Sequence, residues 1–296
     1  MTKKHFRISV VIPVYNEEDR IFYCLDALSR QTIRPLEIIL VNNNCKDQTT
    51  AIAKRFKSVR IINEPRQGRA IAQATGFKNA KGDILARIDA DTIVPPDWIE
   101  QIGQAFNDDS TIDAISGYGV TRTGVTINFI SDIWSWAYFT HCKAFFGSEI
   151  LWGSNMAIKK TAWVKIKNLC SVNTNLHEDQ DISLALASVG GKAKILPDLK
   201  VSVDFGEIAY LGKYWRYNKM KHHTRQTHRI HYRSNLTTYH KIPKFKRVCY
   251  HLLATYTVGL FMIITAINSG VHILTSALKQ SSVYFWYQKI KSEFNF

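Results

Sequence analysis

The sequence has no closely paired cysteines. Its five, at positions 24, 45, 142, 170 and 249, show no Cys-x-x-Cys spacing, which argues against a zinc ribbon or disulfide scaffold and fits a reducing, cytosolic setting. A long apolar N-terminal run is also missing. The run ending at Ile12 is about six residues long and stops at Pro13, too short for the apolar region of a signal peptide. Residues 208–296 almost lack acid: 14 Lys and Arg stand there against the single Glu293, whereas residues 1–207 hold 25 against 23. Nearly all of the formal net charge of +15 therefore sits in the last third of the chain. A near-neutral body with a basic end predicts an anionic partner for that end alone. No nucleic-acid recognition motif accompanies the charge, so nucleic acid is not the expected partner.

What is present reads as an ordinary globular chain, with 46% hydrophobic and 21% charged residues. Its 296 residues suffice for one large domain or two smaller ones. Ile8–Ile12, Leu36–Val41, Val59–Asn63 and Asp83–Ile88 are short, largely apolar and rich in β-branched residues, as buried parallel strands are. Helical segments separate them: one to about Gln31, one from Gln48 to Phe56, and one after Gly68 up to Asn79. This alternation predicts an α/β fold with a mainly parallel, Rossmann-like sheet and right-handed crossovers. Further strands are expected at Ala114–Val120, after the Trp152-Gly153-Ser154-Asn155 turn, and at Lys194–Leu196 and Lys200–Val203. A helix over Phe129–Phe146 is apolar on most sides, fit for a core or for an acceptor- or membrane-facing surface.

Three polar clusters follow the strands: Tyr15-Asn16-Glu17, Asn42-Asn43-Asn44 and Asp89-Ala90-Asp91. Each alone serves equally well as a turn or helix cap. Their shared location matters more, because ligands of such sheets bind beyond the carboxyl ends of the strands. Residues two apart in extended backbone point to one side. Asp89 and Asp91 can therefore converge on one hard divalent cation, and such an ion would neutralise a substrate phosphate. Further along, Glu178, Asp179 and Asp181 stand at the entry of a helix running to Ser188. A helix N-terminus favours acidic residues, but capping needs one or two, and an additional carboxylate can serve as a general base.

In its order and spacing of motifs the chain resembles the family-2 glycosyltransferases of A-type fold, over about residues 8–205. The residues that carry the resemblance are Val11-Ile12-Pro13-Val14-Tyr15-Asn16-Glu17-Glu18, Gly82-Asp83-Ile84-Leu85 leading to Asp89-Ala90-Asp91, Gly153-Ser154-Asn155-Met156-Ala157, and Glu178-Asp179-Gln180-Asp181. The resemblance implies that Asp91 ligates Mn²⁺ or Mg²⁺ bridging the two phosphates of a nucleoside-diphosphate sugar, with Asp89 as its partner near the ribose and metal. It implies that Asp179 is the base that deprotonates an acceptor hydroxyl during inverting transfer. Pro13, Tyr15 and Glu17 match the loop that cradles the nucleotide, and Arg69 adds charge near the phosphates. Trp152, Gly153, Ser154, Asn155 and Glu178 fall in the acceptor or donor-sugar region. The chain departs from the family where an aspartate usually follows the second strand, since Asn42 and Asn43 stand there. An amide both donates and accepts, so uridine is the preferred base and guanosine stays open.

The expected organisation is a nucleotide-sugar-binding half over 1–115, an acceptor-binding half over 116–207, and a basic, apolar, helical extension over 208–296. Lys213-Tyr214-Trp215-Arg216-Tyr217 faintly resembles the Gln/Arg-x-x-Arg-Trp motif of processive synthases; Lys213 and Tyr217 depart from it, and processivity is not inferred. His222, His223, His228 and His231 read as a solvated or phosphate-facing surface rather than metal ligands. Residues 252–278 carry no formally charged side chain. That length suffices to span a bilayer, and Asn268-Ser269-Gly270 would alternatively turn the run into a re-entrant hairpin. The preceding basic residues point to the cytosolic face of an anionic membrane, and the acceptor expected there is a lipid-linked sugar or surface glycan. Nucleotidyl transfer and a non-catalytic, membrane-docked nucleotide-sugar-binding module are the competing classes.

Overall fold

The computed structural model describes residues 5–121, 128–172, 175–203 and 219–228. The expected segment at 252–278, the Lys213–Tyr217 stretch and His231 lie outside these residues. Among the described residues, no helix is long and apolar enough to cross a membrane.

The chain begins with β1 (Ile8–Val14), α1 (Ile21–Ser29), β2 (Glu37–Asn42), α2 (Thr49–Ala53), β3 (Val59–Asn63), α3 (Arg69–Asn79) and β4 (Ile84–Arg87). It continues through α4 (Trp98–Asp108), β5 (Ala114–Thr121), α5 (Asn128–Phe146), β6 (Met156–Lys159), α6 (Lys160–Ile166), α7 (Glu178–Ser188) and β7 (Ala193–Val203). A last helical segment, α8, covers residues 219–228. One seven-stranded sheet has the order β3-β2-β1-β4-β6-β5-β7. All neighbours are parallel except β6, which runs antiparallel to both β4 and β5.

Side-chain alternation along the strands divides the interior into two layers. Val10, Ile12, Ile38, Leu40, Ile84 and Ala86 face one side, packing with residues of α1 and α4 such as Leu25 and Ile102. Val11, Ile39, Val41 and Leu85 face the other, packing with α3, α6 and α7 through Phe77, Trp163 and Leu186. Each such aliphatic side chain, fully buried, stabilises the fold by about 1.5–3 kcal/mol. Both faces of the strands are covered, which is why they read as continuous apolar runs. Helix α3 lies so close to the sheet that a Cβ at Gly76 would stand 2.3 Å from Val11 Cγ1.

Two elements differ from the sequence reading. The strands expected at Lys194–Leu196 and Lys200–Val203 are one edge strand, β7, whose register on β5 shifts between Gly117 and Tyr118. Pro197 falls within that irregularity, where a missing backbone N–H is tolerated. Helix α6 starts directly after β6 with no glycine or proline between them, so no breaker announces it. Helix α5 takes the core role for most of its length: Trp134, Phe139, Cys142 and Phe145 are buried, and Ile133 and Trp136 are exposed.

A buried asparagine ties this framework to the strand ends. Asn155, fully buried, accepts a 2.9 Å hydrogen bond from Trp98 Nε1 on α4 and donates to Leu199 O at 2.7 Å. Trp98→Phe removes the donor to a buried carbonyl oxygen, which costs about 1–3 kcal/mol. Urea denaturation should show that loss as a lower midpoint; an unchanged midpoint would contradict it.

Candidate active site at the strand ends

The strand order reverses around β1: β2 and β3 follow on one side and β4 lies on the other. In an open α/β sheet, that reversal opens a crevice beyond the carboxyl ends. The loop after β1 brings Tyr15 and Glu17 to it, and the loop after β4 brings Asp89 and Asp91. Pro13 lies within β1, paired with Val41. Asn16 takes a left-handed φ of 55°, a conformation asparagine tolerates better than most residues. Its Oδ1 accepts from Lys46 N–H at 2.8 Å, which fastens the loop to the stretch after β2.

Asp89 has both carboxylate oxygens engaged. Oδ1 accepts from Arg87 Nη2 at 2.7 Å, and Oδ2 accepts from Ser154 Oγ at 2.5 Å. Asp91 is pushed up to about 7 by burial first, then by the facing carboxylates of Asp89 and Glu17. Among the described residues, no group of three or more His, Cys, Asp or Glu side chains is arranged to hold a metal ion. The donors do fit a hard cation that takes one or two protein carboxylates and completes its shell with phosphate and water oxygens. A divalent cation beside Asp91 would also offset the mutual repulsion of these carboxylates.

Opposite them stands the N-terminus of α7. Asp179 Oδ2 accepts from Gly153 N–H at 3.1 Å, and Oδ1 accepts from Gln180 N–H at 2.7 Å and faces His177 Nδ1 at 2.8 Å. Burial would raise the Asp179 pKa, but His177, Arg87 and the Gly153 N–H together hold it well below the usual carboxylate range. His177 moves the other way: burial lowers it, and the Asp179 carboxylate more than offsets this and raises it. Glu178, also buried, lies 3.3 Å from Arg87 Nη2 and 3.6 Å from Arg69 Nε. Trp152 is half-buried, and its backbone N–H donates to Ser116 Oγ at 3.0 Å.

The structure thus brings Glu17, Arg69, Asp89, Asp91, Gly153, Ser154, Glu178 and Asp179 together. Asn155 supports the loop from beneath through the bonds described above. Asn42 and Asn43 serve their loops: Cys45 N–H donates to Asn42 Oδ1 at 2.9 Å. Asn43 donates to Glu64 O and Arg66 O at 2.9 and 2.7 Å and accepts from Gly68 N–H at 2.8 Å. Tyr15 is half exposed, at 49%, so its ring is open to a ligand.

The loop that delivers Arg69 is fastened by Glu64. This carboxylate accepts from Arg66 Nε and Nη2 and from Thr75 Oγ1, at 2.9, 3.0 and 2.6 Å. The Arg66 guanidinium is the main cause that lowers its pKa to about 2 from the ordinary 4.5. A depressed carboxylate contributes stability in full above the unfolded value and loses it as pH falls toward the folded one. Glu64→Gln should therefore be less stable than wild type at pH 7, with the gap closing between about 4.5 and 2. Denaturation midpoints across that window test this; a pH-independent gap would contradict it.

Three site-supporting residues were missed or misread in the sequence. Arg87 passes as one charge within a strand. His177 gives no periodic signal. His228, expected on a solvated surface, is buried at 3%, with Nε2 lying 2.7 Å from Asp181 Oδ1. Its immersion follows from α8 lying against α7: Thr224 Oγ1 accepts from His177 N–H at 3.0 Å. His222 and His223 are exposed, as expected.

Comparison with known proteins settles the family. The profile of glycosyl transferase family 2 matches residues 9–162, which covers the crevice through β6. The chain belongs to this family. Glycosyltransferase GlyA of Streptococcus pneumoniae is 28% identical over 218 residues, 70% of this chain and 27% of that protein. Glycosyltransferase AglE of Haloferax volcanii is 33% identical over 129 residues, 41% of this chain and 40% of that one. This family-2 chain thus matches less than half the length of either relative. A mannosyltransferase from Pyrobaculum calidifontis, solved with GDP-mannose and Mn²⁺, shares the fold at a TM-score of 0.63 and 20% identity, covering 98% of this chain and 85% of that one. Glucosyl-3-phosphoglycerate synthase from Mycobacterium tuberculosis, solved with Mn²⁺, UDP-glucose and phosphoglyceric acid, does so at 0.51 and 16%, covering 74% and 80%. The mixed seven-stranded sheet is therefore the A-type glycosyltransferase fold that the motifs imply.

Proposed function

We propose that the chain is a metal-dependent inverting glycosyltransferase that moves a sugar from a nucleoside-diphosphate sugar to an acceptor hydroxyl or phosphate. The observation that carries this reading is the meeting of two pairs of carboxylates at one crevice. Asp89 and Asp91 stand on the donor side, Glu178 and Asp179 on the acceptor side, and Arg87 lies between them. Asp179 enters the reaction ionised and takes the proton of the acceptor hydroxyl. The acceptor oxygen then bonds to the anomeric carbon from the face opposite the diphosphate. The bond from that carbon to the diphosphate oxygen breaks, and its electron pair leaves with the nucleoside diphosphate. Asp91 and Asp89 would hold Mn²⁺ or Mg²⁺, which when bound supplies positive charge to the departing diphosphate.

Uridine remains the preferred base and guanosine the alternative; relatives of this fold were solved with donors of both kinds. Thermal unfolding with a panel of UDP- and GDP-sugars tests the donor reading. A ligand at one hundred times its Kd stabilises by about 2.7 kcal/mol, so one donor class should raise the melting temperature only when Mn²⁺ is present. No stabilisation by any member of the panel would contradict the proposal.

The acceptor we propose is a lipid-linked sugar or surface glycan at the cytosolic face of an anionic membrane. The support is the run at residues 252–278, which carries no formally charged side chain and is long enough to enter a bilayer, together with the basic residues before it, which an anionic surface attracts. Removal of residues 248–296 should release the protein from vesicles containing phosphatidylserine. Continued co-sedimentation of the truncated chain would place the attachment elsewhere.

A further inference from the structure

We infer that Arg87 is a positioning residue that links donor binding at Asp89 to the setting of helix α7 through Glu178; this rests on the glycosyl-transfer reading above. Arg87 closes β4 and is 1% exposed. One of its nitrogens, Nη2, serves two carboxylates at once, at 2.7 Å from Asp89 Oδ1 and 3.3 Å from Glu178 Oε1. These two carboxylates come from opposite sides of the crevice and lie 89 positions apart in sequence.

The guanidinium has little freedom to withdraw. Gly153 passes so close that a Cβ there would lie 1.1 Å from Arg87 Nη1, so retreat toward that loop would displace the backbone that donates to Asp179. Among the described residues Arg87 Nε has no hydrogen-bond partner, and Asp89 and Glu178 are the carboxylates that fix Nη2. Both Asp89 oxygens are engaged, one by Arg87 and the other by Ser154. A donor that draws on Asp89 must compete with both. The Arg87 N–H that Asp89 releases then has Glu178 as its second acceptor, already within reach. Tightening that contact moves the first turn of α7, and Asp179 is the next residue. The far side of this turn is held by α8, through Thr224 on His177 N–H and His228 on Asp181. A shift in Glu178 therefore acts on a helix end braced from behind.

A lysine would keep the buried positive charge but presents a single ammonium in place of a planar fork, so it does not reproduce the shared geometry. That difference separates a positioning role from simple charge balance. Hydrogen exchange across residues 178–188 is followed in wild type and Arg87→Lys, with UDP or GDP plus Mn²⁺, and calorimetry with the same ligands reports binding. In wild type the nucleotide with Mn²⁺ is expected to slow exchange in this segment about five-fold or more, the lower end of ordinary coupling between sites. In Arg87→Lys the nucleotide should still bind while the slowing is lost. Should Arg87→Lys fail to fold, Glu178→Gln tests the same link from its other end, with the same expectation. Equal slowing in wild type and in the variant, or binding to wild type without any slowing, overturns the role of Arg87 and leaves the donor reading standing. Failure of wild type to bind either nucleotide overturns both.

Discussion

Asp179→Asn is expected to lower turnover by about two to four orders of magnitude, the usual contribution of a general base, while donor affinity changes little. Asparagine has nearly the same shape, and its carbonyl oxygen can still accept from Gly153 N–H, which now meets Asp179 Oδ2 at 3.1 Å. What it cannot do is take a proton from the acceptor. The substitution also removes the anion that raises the His177 pKa, so His177 should titrate lower in the variant. The proposed donor contacts lie around Asp89 and Asp91, on the other side of Arg87, and are expected to stay in place. Product formation measured beside calorimetric donor binding separates the two effects. Turnover at the wild-type rate would remove Asp179 from the role of base.

Asp91→Ala is expected to abolish the Mn²⁺-dependent part of donor binding without weakening the fold. Burial and the neighbouring Asp89 and Glu17 carboxylates push the Asp91 carboxyl up to about 7, so this side chain adds repulsion to the donor-free protein. Removing it relieves that repulsion, and the melting temperature should hold or rise. A residue present only for packing would behave the opposite way. The arrangement is the familiar exchange of stability for a charged site. Donor affinity that responds to Mn²⁺ equally in variant and wild type would contradict the assignment.

Much of this site is readable from the sequence because its parts are local. A buried parallel strand shows as an apolar run, and the polar residues just after it are placed at the sheet end by topology alone. That logic reaches Glu17, Asp89 and Asp91, and the helix-entry argument reaches Asp179. The partners that tune these groups are not local. Arg87 looks like an interruption in an apolar strand until Glu178 folds against it. His228 sits among basic residues that suggest a solvated helix, and only the approach of α8 to α7 reveals the buried contact with Asp181. Asn42 and Asn43 illustrate the same limit: their position at the end of β2 predicts a nucleotide-facing loop, whereas the loop-bracing bonds of Asn43 depend on how the β3–α3 connection returns. The single strand β7 passes through Pro197 because an edge position and a register shift remove the need for its N–H, neither of which is written in the residues nearby.

The most direct test of the central claim is identification of what leaves the donor. Purified protein is incubated with the stabilising nucleotide sugar, Mn²⁺ and a membrane extract, and the soluble products are separated. Release of the nucleoside diphosphate, matched by sugar appearing on the acceptor and lost in Asp179→Asn, is the predicted result. Release of pyrophosphate, or an intact donor despite tight binding, would contradict glycosyl transfer.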